Sequence, residues 1–382
     1  MTGKTRYIGF AFLAALLALT SCRDLALQPV FYALSQEIPL GDDKGFPDVA
    51  QVFRMVKFDD TGTEYYLAAA GRLYIRGVLA TDTWTVVAPP AGRANAMCNT
   101  LEILGTDIYA GFYDTTDGSG YGLWTSPAAS FPMWAEVTDP DIQDKGIALL
   151  KAVGGDLFVS THVKTATTST YALYYGSGNS YNTVSWTPSA PPAEVGFIDV
   201  AGFGGSYWIL AGAFFYRNTI ALPGDFGVYS GGTGSPPVFP LSGPPLSGGL
   251  FADGINALYV STGNGHLYRT ADGSDWTRTT AFVPDDDGDA VKFTAFADGT
   301  PGGNVYVGTQ GQGYYRIAGG TVNGVLGTDL VRQPAYNITA LYSGSVNCFF
   351  HETGVALFLG TNGSGLWRGD FIDGSVWTWK QE

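Results

Sequence analysis

The chain is poor in several residue types, and each shortage excludes a class of protein. Cysteine occurs three times in 382 residues, which rules out a disulfide-stapled scaffold. Histidine also occurs three times, at His162, His266 and His351. None has a second ligand at metal spacing, so no zinc site is expected. Charged residues make up only 14% of the chain while hydrophobic residues make up 45%; disordered chains show the reverse balance. Basic residues are outnumbered, 20 Lys+Arg against 34 Asp+Glu, and no basic stripe stands out. An acidic surface repels phosphate backbones, so nucleic acid is not an expected partner. Long apolar runs are missing beyond the first twenty residues. What is abundant is glycine (53), proline (20) and aromatics (14%), a composition of many turns, few helices and a large β-rich core.

The N-terminus, MTGKTRYIGFAFLAALLALTSC, begins with Lys4 and Arg6 and continues with an apolar stretch from Tyr7 to Leu19. That stretch is too short for a comfortable membrane span and fits a secretory leader. Its end, Leu19-Thr20-Ser21-Cys22, resembles the lipobox of bacterial lipoproteins. The resemblance implies a signal peptide over residues 1–21, cleavage before Cys22 and lipid attachment to the Cys22 thiol. Multiple acyl chains give durable anchoring, at about 0.8 kcal/mol per buried CH₂. The expected address is the bacterial cell envelope, outside the cytoplasm and lipid-anchored to a membrane. Residues 22–46 read as a lipidated tether with a possible closing strand at Val30–Gln36, and residues 47–382 as one repeat domain.

The repeat is clearest at Asn256–Thr279, NALYVSTGNGHLYRTADGSDWTRT. It reads strand, Asn264-Gly265 hairpin turn, strand, Asp272-Gly273 turn, strand. The second-strand aromatic recurs as Tyr74, Trp124, Tyr174, Tyr216, Tyr268, Tyr315 and Trp367. The preceding strand gives Tyr109, Phe158, Trp208, Tyr259, Tyr306 and Phe358. A third series runs Trp84, Trp134, Trp186, Trp276 and Trp377, replaced near Phe226 in copy four and Val325 in copy six. An apolar strand precedes each copy. Four strands at a period near 49 predict an all-β, seven-bladed β-propeller with four-stranded antiparallel blades. The periodic aromatics are expected to pack blade against blade. Trp377–Lys380 is expected as the outer strand of blade seven.

Thr270-Ala271-Asp272-Gly273-Ser274-Asp275-Trp276 resembles the Asp-box, or BNR repeat, of sialidase-like propellers, with Ser274 in place of the second glycine and one residue fewer before the tryptophan. Asp373-Gly374-Ser375-Val376-Trp377 repeats its core. In that family the box shapes a peripheral turn, so a turn-capping role for Asp272 is implied. The sialidase catalytic set does not carry over. Its Arg-Ile-Pro signature is nearest at Tyr315-Arg316-Ile317, where Ala318 replaces the proline. Arg217, Arg269, Arg316 and Arg368 all follow a repeat aromatic and are expected around the ring rather than in one pocket.

Candidate chemistry is sparse. Asp285-Asp286-Asp287-Gly288-Asp289 has the carboxylates of a Ca²⁺ loop, but its glycine is fourth and the twelfth residue is Phe296; it is read as a solvated acidic turn, and no metal or cofactor is expected. Cys98 and Cys348 fall on inner strands of different blades and are expected as buried free thiols. Glu102 and Asp199 are expected to line a wet channel with Arg54, Lys57, Lys151 and Lys292. The enlarged second-to-third-strand loops of blades two and three make one sector of the ring irregular, and ligand contacts favour such loops. Tyr113, Asp114, Tyr121 and His162 are therefore the expected contact residues. The expected function is a binding or scaffold module for an envelope protein, peptide or glycan. A sialidase-like glycoside hydrolase or lyase is the alternative, requiring two carboxylates at a set separation.

Overall fold

A computed structural model describes residues 44–382 except 80, 166, 188–189, 213, 219–224, 230–248, 254–256, 262–266, 279–290, 300–303, 318–329, 333–343 and 373–375. The leader, Cys22, the Val30–Gln36 segment, Asn264-Gly265, His266, the acidic stretch Asp285–Asp289 and Asp373–Ser375 lie outside the described residues. Each blade is built on four antiparallel strands, ordered from the axis outward as they run in the chain, and one blade gains a fifth at its rim. Blade one holds β1 (Arg54–Asp60), β2 (Thr63–Ala70), β3 (Arg72–Gly77) and β4 (Thr85–Val86). Blade two holds β5 (Ala96–Leu104), β6 (Asp107–Asp114), β7 (Gly120–Pro127) and β8 (Ala135–Glu136). Blade three holds β9 (Gly146–Val153), β10 (Asp156–Lys164), β11 (Ser169–Ser177) and β12 (Ser180–Thr183). A short strand, β13 (Trp186–Thr187), follows it. Blade four holds β14 (Phe197–Phe203), β15 (Ser206–Ala211), β16 (Phe214–Asn218) and β17 (Phe226–Val228). Blade five holds β18 (Leu250–Asp253), β19 (Ala257–Ser261), β20 (Leu267–Thr270) and β21 (Trp276–Arg278). Blade six holds β22 (Phe293–Gly299), β23 (Asn304–Thr309), β24 (Tyr314–Ile317) and β25 (Leu330–Arg332). Blade seven holds β26 (Val346–Glu352), β27 (Ala356–Thr361), β28 (Leu366–Ile372) and β29 (Val376–Gln381). Inner strands of adjacent blades touch around the whole ring, including blade one against blade seven.

The periodic aromatics fill the seams. On adjacent strands, residues one register step apart point to opposite faces. Trp208 pairs with Arg217, so Tyr216 faces the other way. The second-strand aromatic of one blade therefore meets the third-strand aromatic of the next. Tyr109 shares a buried cluster with Tyr174, Phe158 with Tyr216, Trp208 with Tyr268 and Tyr259 with Tyr315. Tyr306 and Trp367 fill the next seam, and Phe358 and Tyr74 the closing one. Each such ring contributes on the order of 1.5–3 kcal/mol of burial.

One periodic tryptophan is not where its spacing predicts. Trp186 follows β12, which is the true outer strand of blade three. The chain then runs on to the rim of blade four, where Trp186 pairs in parallel with Phe226. Its ring contacts Tyr216 at 4.7 Å and Phe197 and Phe226 at 5.8 Å. Blade four is consequently five-stranded, and its outer edge is covered.

Closure uses both ends of the domain. β29 forms the outer strand of blade seven, as the Trp377–Lys380 assignment expects. Val52 N–H donates to Thr361 O (2.9 Å) and Gly365 N–H to Ala50 O (3.0 Å), tying the entry segment to blade seven. Phe46 is buried against Tyr74 and Trp84 of blade one.

Candidate functional site

In each blade, the loop between the second and third strands and the loop entering the next blade emerge on one face. On that face, blades two and three form a cleft of about 370 Å³. Three segments wall it: Asp117–Gly120 from the β6–β7 hairpin, Asp144–Gly146 entering β9, and His162–Thr165 at the tip of β10. Glycine makes the walls close. A Cβ on Gly120 would lie 2.0 Å from Gly146 N, and one on Gly146 would lie 2.1 Å from His162 Cε1.

The four expected contact residues take different places. Asp114 and Tyr121 meet across the hairpin, the Tyr121 hydroxyl donating to Asp114 Oδ2. Asp114 Oδ1 also accepts Thr116 N–H at 2.6 Å. The Tyr121 bond, then the Thr116 amide, hold the Asp114 carboxyl below its usual range. His162 lines the cleft, its ring stacked on Tyr171 (centroids 6.0 Å apart). Its Nδ1 is buried against Gly146, and burial, ahead of the opposing Gly146 backbone contact, pulls its pKa below the ordinary value. Tyr113 sits deeper, paired to Met97 and Gly120 on the flanking strands, and burial raises its pKa. Tyr113, Asp114 and Tyr121 thus support the hairpin, while His162 faces the open space.

Three further groups complete the sector. Arg93, in the loop between blades one and two, lies over the Tyr121 ring at 4.4 Å and reaches Asp144 Oδ1 at 3.7 Å. Asp117 caps the hairpin by accepting Ser119 N–H at 2.8 Å. No local motif links Arg93, Asp117 and Asp144, because they come from separate loops.

The second recess on this face is the central channel, about 290 Å³. Five inner strands carry a β-bulge at the same point, where the register skips Asn99, Ala148, Ile198, Thr294 or Asn347. A bulge breaks the alternation and re-aims a side chain, and all five skipped residues line the channel. Behind them Arg54 Nη2 pairs with Glu102 Oε2 at 2.7 Å and Lys151 Nζ with Asp199 Oδ1 at 3.4 Å. Glu102, ahead of the opposing cost of burial, raises the Arg54 pKa. Arg54, Lys151 and Asp199 line the channel as expected, whereas Glu102 lies behind the lining, held by Arg54. Lys57 does not: it binds Glu352 at 2.5 Å and Glu64 at 2.8 Å. Lys292 is also outside the lining.

The repeated arginines are architectural. Arg217, Arg269 and Arg368 lie over their cross-strand partners Trp208, Tyr259 and Phe358 at 4.7, 5.8 and 5.9 Å. They are spread around the ring. The Asp272 turn has the expected form. Asp272 Oδ1 accepts Ser274 N–H and Asp275 N–H, both at 2.8 Å, and those amides hold its pKa down at about 2. Cys98 and Cys348 are both free and buried. Among the described residues, no group of three or more His, Cys, Asp or Glu is placed to hold a metal.

No family model matches the sequence, and no curated protein matches it. Solved structures do. YCF48 bound to a D1 peptide aligns at a TM-score of 0.56 with 13% identity, over 86% of this chain and 94% of that one. The extracellular domain of the hybrid two-component system BT4673 of B. thetaiotaomicron aligns at 0.60 with 15% identity, over 87% of this chain and 39% of that one. The WD40 β-propeller domain of Doa1 aligns at 0.51 with 12% identity, over 84% and 93%. At these identities the likeness establishes the propeller fold.

Proposed function

We propose that this propeller is a lipid-anchored, extracytoplasmic binding or scaffold module for an envelope protein, peptide or glycan. One observation carries the reading. Two recesses open on the same face; the channel's ion pairs and the Arg93–Asp144 pair beside the cleft bridge separate blades or loops rather than converging on a shared point. Such a surface offers shape, backbone groups and fixed dipoles to a partner. The peptide-bound state of the YCF48 structure is an instance of this fold used for binding, and ligand contacts on a rigid scaffold favour loop-rich faces. The lipobox-like Cys22 supplies the anchor in this reading. A hydrolase gains no support from Glu102 and Asp199. Glu102 is held by Arg54 and the Ile103 amide, and Asp199 by Lys151 and the Val200 and Leu250 amides.

Two measurements test the proposal. Cys22→Ser should abolish incorporation of labelled palmitate and release the chain from the membrane fraction; a chain that stays unlabelled before the substitution overturns the anchor. A photoreactive amino acid at Val163, 45% exposed at the cleft, should cross-link a discrete envelope partner in cells. The same probe at Met133, 68% exposed and outside the cleft lining, should not. Equal patterns from both positions refute binding at this face.

A further inference from the structure

We propose that the central channel is a sugar site, taking one neutral pyranose unit of an envelope glycan. This deepens the binding-module reading and rests on it.

Size is the first constraint. At about 290 Å³ the channel is at the small end of ligand sites, which run from about 300 to 1,000 Å³. It holds a single ring, not a polymer segment.

Charge is the second. Of the charged groups that line it, Lys151 is paired with Asp199, and Arg54 is balanced by Glu102 behind the wall. The chain as a whole is acidic. An anion entering such a channel adds an unbalanced charge, and so does a cation; a neutral ligand adds none.

The third is the count of open hydrogen-bonding groups. Every carboxylate oxygen already has a partner. Both Asp199 oxygens accept backbone amides, Val200 N–H at 2.9 Å and Leu250 N–H at 3.1 Å, and Oδ1 also faces Lys151. Glu102 Oε1 accepts Ile103 N–H and Oε2 accepts Arg54. The donors are not filled. Among the described residues, Arg54 uses only Nη2 of its end nitrogens, Lys151 has the single partner at 3.4 Å, and the Asn99 amide makes no hydrogen bond. The ligand must therefore bring oxygens.

The fourth is the opposite wall. Phe251 and Phe296 line the channel with rings parallel to within 4° and centroids 5.9 Å apart. A hydrocarbon would match this wall and strand the donors. A pyranose carries hydroxyl oxygens on its edge and an apolar C–H surface on its face, and so matches both halves.

The test is saturation-transfer NMR on the full chain in a zwitterionic detergent. The panel is glucose, galactose, mannose, N-acetylglucosamine and N-acetylgalactosamine, with the anion N-acetylneuraminate as the charged comparison. At least one neutral sugar should bind with a dissociation constant of order 1 mM, the range for a ligand of about a dozen non-hydrogen atoms. Ala148→Trp, which plugs the exposed mouth without removing packing, and Asn99→Leu, which deletes an open donor, should each weaken it at least ~10-fold with the melting temperature unchanged. Absence of binding by every neutral sugar overturns the proposal. So does binding that both variants leave intact, or N-acetylneuraminate binding more tightly than all the neutral sugars. If the channel fails while Val163 still cross-links a partner, the sugar assignment falls and the binding module stands.

Discussion

Removing the Glu382 side chain should open the ring at its seam. Glu382 belongs to blade seven through its own N–H, which donates to Leu366 O at 2.9 Å. Its carboxylate crosses to blade one, where Oε2 accepts both Arg76 Nη1 and Trp84 Nε1, the latter at 3.0 Å. The pair is dry: the side chains of Arg76 and Glu382 keep 0% and 4% of their surface. Arg76 lies between the rings of Tyr66 (5.6 Å) and Trp84 (5.8 Å), and burial pulls its pKa below the ordinary value. Glu382→Ala would leave a buried guanidinium without its counter-ion, a cost of about 3–5 kcal/mol. It would also orphan the Trp84 indole N–H, by itself ~1–3 kcal/mol. The two losses share one acceptor and do not add, so about 4 kcal/mol is expected. That is a large part of the roughly 5–15 kcal/mol that holds a domain folded. Urea unfolding followed by tryptophan fluorescence should show the midpoint fall, nearly independent of salt because the pair is buried. Arg76→Met combined with Glu382→Leu should recover most of the loss, since an apolar pair removes the stranded charge. A Glu382→Ala cost below about 1 kcal/mol, the value of a surface pair, refutes the latch. A double variant as unstable as the single one refutes the stranded-charge explanation.

Two further outcomes follow from the geometry. Asp272→Ala should destabilise by about 1 kcal/mol at pH 7, the usual value of a lost capping side chain, reduced toward the low end because the carboxylate is largely solvated. Its folded pKa is depressed from 3.8 to about 2 by the Ser274 and Asp275 amides, so the contribution is present above about pH 4 and lost as pH falls through 2. Urea midpoints of wild type and variant should therefore differ at pH 7 and converge near pH 2; a constant gap would refute the capping role. Burial pushes both Cys98 and Cys348 up to about 12, leaving little thiolate at neutral pH. In a Cys22→Ser chain, a thiol reagent should label neither in the native state and both in urea; rapid labelling of either native thiol contradicts the packing.

The fold was readable because the same physics acts seven times. A large aromatic is needed at each seam, and it recurs near the blade period. That regularity also explains the error at Trp186. Its separation from Trp134 is what a blade-three residue would show, and nothing local says whether a rim tryptophan packs on its own blade or the next. The decisive contacts, with Phe197, Tyr216 and Phe226, come from later in the chain. The bulges were hidden for a different reason. One extra residue in an apolar strand leaves the strand looking apolar, yet it selects which residues reach the channel. The site was legible only where its contacts are local. Asp114 and Tyr121 face each other across one hairpin, whereas Arg93 finds Asp144 only after all four strands of blade two have been laid between them.

The distribution of polar groups separates architecture from candidate function. Blade five, the most regular repeat, spends its polar residues internally. The Gly273 carbonyl takes Arg217 Nη1 and the Tyr229 hydroxyl from blade four, both at 3.3 Å, and Trp276 Nε1 donates to that same hydroxyl at 3.0 Å. Gly273 itself has φ +76°, and a Cβ there would press on the Trp208 ring at 3.0 Å. Among its described residues, the Gly273–Trp276 turn is thereby explained by one blade gripping its neighbour. Blades two and three break the repeat with longer hairpins and leave Asp117, His162 and Lys164 around open space. The channel is similarly divided, with Arg54, Lys151 and Asp199 from blades one, three and four, and Phe251 and Phe296 from blades five and six. Symmetric packing would require neither asymmetry. Function in this ring should be sought where the repeats diverge, because what they share is already accounted for by the seams.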